Sequence, residues 1–319
     1  MVSKWKQSSI HRIMVLIIFA VAFIILGTNQ IQAASSVPGC TLLAWKIRPK
    51  SGPFQIDNYI KIWEFGGNGV HCDMSQLDNK QTYILIHGNG AGPAGDNWPP
   101  QAAQAIRATE QGKNSQILLI DWEDDASIFA ADGIDPDNAD VLPNVILTII
   151  YLFSNVKRID HIEIIGHSYG AHIGGYLAQT GVLGTVDHLV ALDPATEKED
   201  LKNACIDGKL IYQYWLNLRN KTYVETYMSS SVLGNSKDTY GNYNFVVADN
   251  NLTCNDFKNQ SRLSFSDHSR AWKFYLGTIN SYSTLGWGWY NYGGKKEGGK
   301  KEYENKGISF QKKQVDWCY

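Results

Sequence analysis

The chain has 319 residues, of which 44% are hydrophobic and 12% aromatic, enough to bury one substantial core or two small ones. Its formal net charge of −2 leaves no basic footprint of the kind that nucleic-acid-binding proteins carry. Nucleic acid is therefore not an expected partner.

The first element is an N-terminal apolar segment. Lys4, Lys6 and Arg12 precede the uninterrupted apolar run Ile13–Leu26, and small residues follow near Ala34. The run is shorter than the ~20 residues that span a bilayer and matches the core of a secretory signal peptide. We therefore predict an exported protein, with a signal peptide over residues 1–34 and a single domain over residues 35–319. The alternative is an uncleaved membrane anchor.

All five cysteines follow this segment, and export would permit disulfides. Five cysteines allow at most two bridges with one thiol left over, and the sequence alone does not fix the pairing. They are Cys40, Cys72, Cys205, Cys254 and Cys318.

Compact apolar runs alternate with helical stretches along the exported part. The runs predict strands at Leu42–Ile47, Tyr59–Phe65, Tyr83–Ile86, Ile117–Ile120, Ile162–Ile165, Leu189–Leu192, Tyr212–Leu218 and Thr222–Met228. Helices are predicted at Gln101–Glu110, Val145–Phe153, directly after Ser168, and at Asp267–Leu276. Residues 229–265 are polar and irregular, and residues 292–306 form a Gly- and Lys-rich loop. This order predicts an α/β fold whose mostly parallel central sheet has helices on both faces.

Polar residues stand where four of the predicted strands end. They are His87 with Gly88, Asp121, Ser168 and Asp193. Because ligands gather at the carboxyl ends of strands in such sheets, we expect these groups on one rim.

Ser168 lies in the stretch IEIIGHSYGAHIGG (162–175), where an apolar run meets a Gly-His-Ser-Tyr-Gly turn and a small-residue helical segment. This is the context of a nucleophile elbow, a strained turn that lifts a serine oxygen above a sheet. Gly166 and Gly170 are expected there because side chains would collide with the neighbouring strand and helix. The simpler interpretation is a turn before a helix.

A serine nucleophile needs a base, because its hydroxyl is barely ionised at neutral pH. His268 is the candidate that remains, since it follows the long polar loop and opens a helix. The other histidines belong to the signal segment (His11), an early loop (His71), the elbow itself (His167 and His172) or the wrong end of a strand (His161 and His188). His87 ends a strand, but a backbone role is more natural directly before Gly88. The simpler alternative for His268 is a neighbour of a helix cap.

The acid that orients the base follows the nucleophile in α/β hydrolases. Asp193 does so, whereas Asp121 precedes Ser168 and is predicted to bond to loop backbone near Trp122. Oxyanion donors are expected from the backbone amides of Tyr169 and, in the loop after His87-Gly88, of Asn89. No cofactor is predicted, and no histidines or cysteines stand at zinc-ligand spacing.

These segments together resemble the pancreatic-lipase family of α/β hydrolases. The resemblance runs through ILIHGNG (84–90), ILLIDWE (117–123), IEIIGHSYGAHIGGYLA (162–178), HLVALDPA (188–195) and DHSRAWKFY (267–275). It implies an α/β-hydrolase fold, a Ser168–Asp193–His268 triad, backbone oxyanion donors at Asn89 and Tyr169, and a lid before His268.

The chain departs from the family pattern in several places. Ser266 replaces the customary cysteine near the histidine, which leaves Cys205 as the candidate partner of Cys254. The acidic calcium-binding region aligns poorly, so calcium is not predicted. Asn89 is polar where the family has a large apolar residue, and too few residues remain for a C-terminal β-sandwich.

The sequence thus predicts a secreted serine hydrolase of lipid esters, either triacylglycerols or phospholipids, that works at a lipid or membrane interface. One rival is a catalytically silent lipid- or partner-binding protein on the same scaffold. The other is a secreted factor whose aromatic stretch Gly286–Tyr292 inserts into membranes, although burial of these rings in the core is the more ordinary expectation.

Overall fold

The protein was analysed as a computed structural model. Every described residue lies within the compact unit Gly39–Tyr319. The structure describes residues 40–48, 58–66, 69–70, 77, 80–88, 98–122, 141–154, 156, 159–194, 205–206, 209–210, 218, 221–229, 241–247, 268–279, 286–287 and 308–312. The predicted signal peptide, the lid segment before His268 and the loop at 292–306 lie outside these ranges.

The described strands alternate with helices, as the apolar runs predict. The strands are β1 (Cys40–Arg48), β2 (Asn58–Phe65), β3 (Gly69–Val70), β4 (Thr82–Ile86), β5 (Gln116–Asp121), β6 (Ile159–His167), β7 (Gly184–Leu192), β8 (Cys205–Ile206), β9 (Lys209–Leu210), β10 (Tyr223–Met228), β11 (Tyr243–Val247) and β12 (Ile308–Lys312). The helices are α1 (Trp98–Arg107), α2 (Val141–Phe153), α3 (Tyr169–Thr180) and α4 (Arg270–Ile279).

Ten strands form one sheet in the order β12-β11-β10-β7-β6-β4-β5-β2-β1-β3. The six strands from β11 to β5 are parallel to their neighbours, and the antiparallel strands β12 and β2 lie on either side of them. Their carboxyl ends therefore share one edge, which confirms the predicted mostly parallel α/β sheet.

Helices cover both faces of this sheet. On one face, α3 packs over buried side chains of β4, β6 and β7, among them Ile84, Ile164 and Leu189, and α2 packs against α3 and strands β1 and β2. On the other face, α1 contacts α4, and the alternate residues of the strands, such as Tyr83 and Ile165, are buried beneath them. This is the α/β-hydrolase fold that the sequence predicts.

Five of the described strands were not predicted. Three of them, β3, β8 and β9, have only two residues each. Strand β11 lies within the stretch read as irregular, and β12 follows the Gly- and Lys-rich loop. Of the predicted strand Tyr212–Leu218, only Leu218 is described, and it does not lie in a strand. Trp287 is buried and its ring lies 5.3 Å from that of Tyr83, so this residue of the aromatic stretch belongs to the core.

The helices of the described ranges are too short or too polar for any of them to cross a membrane.

Candidate active site

Ser168 occupies the sharp turn between β6 and α3. Its backbone has φ 56° and ψ −125°, a region that non-glycine residues rarely adopt, and its side chain does not cap the helix. The Ser168 amide donates to the Leu192 carbonyl at 2.9 Å, which ties the turn to the end of β7. A strained serine between a parallel strand and a helix has the geometry of a nucleophile elbow.

Close backbone packing around this turn explains its glycines. A Cβ on Gly166 would approach the Gly170 carbonyl oxygen to 2.5 Å, and one on Gly170 would approach the His87 carbonyl oxygen to 2.4 Å. These contacts confirm the predicted collisions with helix and strand. Gly88 is equally constrained, because its Cβ would lie 2.6 Å from Cβ of Ser168. The loop after β4 therefore touches the elbow directly.

Asp193 and His268 are paired beside the elbow. Nδ1 of His268 lies 2.7 Å from Oδ2 of Asp193, and the aspartate is fully buried while the histidine side chain is 12% exposed. The amide of Ser229 donates to Oδ1 of Asp193 at 2.9 Å. Both carboxylate oxygens thus have a partner. Because Nδ1 must donate to the carboxylate, Nε2 of a neutral His268 is the acceptor nitrogen.

His167 connects the elbow to His268. Its Nε2 donates to the His268 carbonyl at 3.0 Å, and the two rings lie 4.6 Å apart. Burial, reinforced by the nearby His268 charge, holds the pKa of His167 well below its usual value, so the ring stays neutral. The residue next to Ser168 therefore contacts His268, the partner of Asp193, so the paired acid and histidine lie beside the elbow.

The two predicted oxyanion donors differ in what the structure describes. Tyr169 is the first residue of α3, so its amide belongs to the positive N-terminal end of that helix. Asn89 lies outside the described residues. Its neighbour Gly88 is described, and its contact with Ser168 brings the start of that loop to the site.

The comparison with protein families decides the relationship. The family model described as Lipase matches residues 70–204, a segment that contains Ser168 and Asp193 and ends before His268. This part of the chain belongs to the lipase family. The match confirms the predicted resemblance to the pancreatic-lipase family, and it makes the protein a hydrolase of the esterase and lipase type.

Two solved structures show low similarity to this chain. Est1E from Butyrivibrio proteoclasticus is 12% identical, with 75% of this chain and 97% of that chain covered and a TM-score of 0.38. An α/β serine hydrolase homologue from Coxiella burnetii is 12% identical, with coverages of 74% and 96% and a TM-score of 0.32. Because these TM-scores are low, the assignment of the fold rests on the observed strand order and not on these similarities. The comparison with curated proteins found no match.

The sequence predicts that two further histidines precede strands, but the structure places both within strands. His161 belongs to β6 and His188 to β7, because both strands begin earlier than their apolar runs. Neither reaches the carboxyl end. His161 forms an exposed pair with Asp187 at 3.1 Å, whereas His188 is fully buried.

Asp121 and His87 lie close together at the end of β5, with Oδ1 of Asp121 3.7 Å from Nε2 of His87. The Trp122 amide donates to Nε2 of His87 at 3.0 Å. Asp121 accepts from Nε1 of Trp63 at 3.3 Å and lies 3.7 Å from Nζ of Lys61. The loop after Trp122 lies outside the described residues, so bonding of Asp121 to that backbone stays a prediction.

Ser229 is a site residue that the sequence did not reveal. Besides its amide bond to Asp193, its Oγ accepts from the Ala271 amide at 3.1 Å in the first turn of α4. One serine thus supports both the acid and the helix that follows His268. The only signal was its place, directly after the apolar run that forms β10.

Among cysteines with described side chains, Cys40 is a buried free thiol, and burial raises its pKa to about 11. The proposed pairing of Cys205 with Cys254 lies outside the described side chains. Within the described ranges, no group of three or more His, Cys, Asp or Glu residues is arranged to hold a metal ion.

Proposed function

We propose that this protein is a secreted serine hydrolase that cleaves carboxylic esters of lipids through an acyl-enzyme intermediate. The observation that carries the proposal is the 2.7 Å contact between His268 Nδ1 and Asp193 Oδ2, formed beside the strained elbow at Ser168. A silent scaffold would have no need to keep a buried carboxylate aimed at this histidine.

Ser168 is the nucleophile in this mechanism, and His268 is the general base. Nε2 of His268 takes the Oγ proton as Oγ attacks the ester carbonyl, and then delivers that proton to the leaving alcohol. Water attacks the acyl-enzyme by the same route and releases the fatty acid. Asp193 holds the imidazole in the required tautomer and stabilises it when it is charged.

The amides of Tyr169 and Asn89 are the proposed donors to the tetrahedral oxyanion. Tyr169 supports this role by its place at the N-terminus of α3, where helix amides favour negative charge. The role of Asn89 is supported by its neighbour Gly88, which packs closely against Ser168.

The substrate class follows from the lipase family, whose members act on lipid esters. Triacylglycerols and phospholipids are the two candidates, encountered at a lipid or membrane interface. A panel containing trioctanoin, phosphatidylcholine vesicles and short p-nitrophenyl esters distinguishes them by which acid is released. Release of the sn-1 fatty acid from phosphatidylcholine would establish phospholipase A1 activity.

Replacing Ser168 by Ala tests the mechanism. We expect hydrolysis of p-nitrophenyl butyrate and labelling by a fluorophosphonate probe both to be lost, with the circular dichroism spectrum unchanged. Ser154→Ala is the matched control, because that exposed serine bonds only to a helix-end carbonyl, that of Tyr151. Activity that survives in Ser168→Ala would refute the assignment.

Export is tested separately by N-terminal sequencing of protein recovered from the medium of expressing cells. A mature terminus near Ala34 would support cleavage of residues 1–34. A protein that keeps these residues in the membrane fraction would support the anchor.

A further inference from the structure

A row of polar side chains, buried except for the half-buried Tyr223, crosses the sheet beneath α4. Tyr83, Glu163, His188 and Tyr223 are register partners on β4, β6, β7 and β10, so they lie side by side on one face. Glu163 and His188 are 2% or less exposed. Such groups are costly to bury unless paired, so their arrangement calls for an explanation.

His188 lies between two carboxylates. Its Nδ1 is 3.2 Å from Oε2 of Glu163, and its Nε2 is 3.4 Å from Oε1 of Glu225. Burial opposes its charge, but the two carboxylates outweigh burial and raise the pKa of His188 to about 9. His188 is therefore a cation at neutral pH, with both ring nitrogens engaged.

The remaining carboxylate oxygens bind tyrosine hydroxyls. Tyr227 donates to Oε2 of Glu225 at 2.7 Å. Tyr275, on α4, donates to Oε1 of Glu163 at 3.4 Å. Burial, with the charges of the two glutamates, raises the pKa of Tyr275 well above its usual value, so the hydroxyl keeps its proton and can donate.

This cluster is connected to every element that carries a triad residue. Glu163 stands five residues before Ser168 on β6, and His188 stands five residues before Asp193 on β7. Tyr275 stands seven residues after His268 on α4. Two hydrogen bonds thus join this part of the chain to β6. One runs from His167 to the His268 carbonyl just before α4, and the other runs from Tyr275 on α4 to Glu163.

We propose that Glu163, His188 and Glu225 form a positioning network that fixes helix α4, and through it His268, over the strands that carry Ser168 and Asp193. The inference rests on the proposed function, because it assigns these residues a role in orienting the proposed base. None of the three touches the substrate.

The positive charge of His188 attracts both glutamates and keeps Glu163 in place. Loss of that charge therefore weakens the hydrogen bond from Tyr275 to Glu163. Among the described residues, the cluster is faced by titratable tyrosines, which come from β4 (Tyr83), β10 (Tyr223 and Tyr227) and α4 (Tyr275). None of them supplies a second positive charge. The network therefore weakens as the pH rises through the pKa of His188.

The experiment measures kcat and KM for p-nitrophenyl butyrate with purified protein. Tyr275→Phe removes one hydroxyl and keeps the ring, so it separates the contact from the packing. We expect kcat to fall roughly tenfold with KM unchanged, because a fraction of an ångström of misplacement affects the chemical step and not binding. The control is Ile164→Val, on the same strand but on the opposite face, and its kcat should match that of the native protein.

Glu163→Gln tests the charge, because Gln keeps the shape and can still accept from Tyr275. We expect the alkaline midpoint of the kcat profile to move down by about one pH unit or more, since one of the two charges that hold the His188 proton is gone. Tyr275→Phe should leave that midpoint in place. A role limited to packing would move neither midpoint.

Native kcat in Tyr275→Phe, an unmoved midpoint in Glu163→Gln, or an equal loss of kcat in Ile164→Val would each overturn the network. Near-ultraviolet circular dichroism at each pH verifies that the fold is intact. Ser168→Ala, assayed in parallel, separates the two proposals: hydrolysis in that variant would refute the mechanism, whereas native behaviour of the network variants would refute only the positioning role.

Discussion

Strand β7 carries two histidine–carboxylate clusters, and their difference is instructive. Directly after its end, Asp193 contacts His268, whose side chain is 12% exposed and which pairs with one carboxylate among the described residues. Five residues earlier, His188 is fully buried with a glutamate on each side. His188 therefore keeps its proton throughout the neutral range.

The number of carboxylates and the access to solvent account for this difference. A single carboxylate orients an imidazole and leaves Nε2 able to accept a proton. Two carboxylates in a buried site favour the cation so strongly that the ring no longer titrates near neutral pH. The same residue types therefore serve chemistry at the rim of the sheet and support beneath it.

The largest expected effect comes from breaking the rim pair. Asp193→Asn keeps the shape but favours the wrong imidazole tautomer, and we expect kcat for p-nitrophenyl butyrate to fall by about 10⁴. The matched control is Asp187→Asn, on the same strand at an exposed pair with His161, which should leave kcat unchanged. A loss of less than tenfold in Asp193→Asn would mean that this carboxylate does not orient the base.

The second effect is a change in the free energy of unfolding when His188 in the buried cluster loses its proton. The folded-state pKa of His188, about 9, exceeds the unfolded value of 6.5. Its stabilising contribution is therefore complete below pH 6.5 and is lost as the pH rises to about 9. From that shift we expect a loss on the order of 3 kcal/mol, measured by urea unfolding across this range. His188→Gln should flatten the slope, and a slope that persists would place the titration elsewhere.

The smallest effect is expected at the exposed pair of His161 and Asp187, whose side chains are 72% and 36% exposed. His161→Ala should change the free energy of unfolding by at most about 1 kcal/mol, because solvent screens such pairs. Its kcat should stay native. A larger loss of stability would show that contact with a carboxylate, and not burial, decides what a histidine contributes.

Most of the parallel sheet was predictable from the sequence, because apolar runs of strand length alternate with helical stretches between Thr82 and Leu192. Strand β11 was not, since Tyr243–Val247 is short and stands in an Asn-rich region without a clear period. The starts of β6 and β7 were also missed, because polar residues such as His161 and His188 precede their apolar runs. Of these two, His188 belongs to the buried cluster.

By itself the sequence determined the elbow at Ser168 and the order of serine, acid and histidine, because local spacing and chain order are properties of the covalent chain. Only the tertiary structure decided that Asp193 meets His268 at 2.7 Å, that Ser229 supports both, and that Glu163 and His188 share a buried charge. These contacts join residues distant in the chain, and they exist because parallel register brings successive strands side by side.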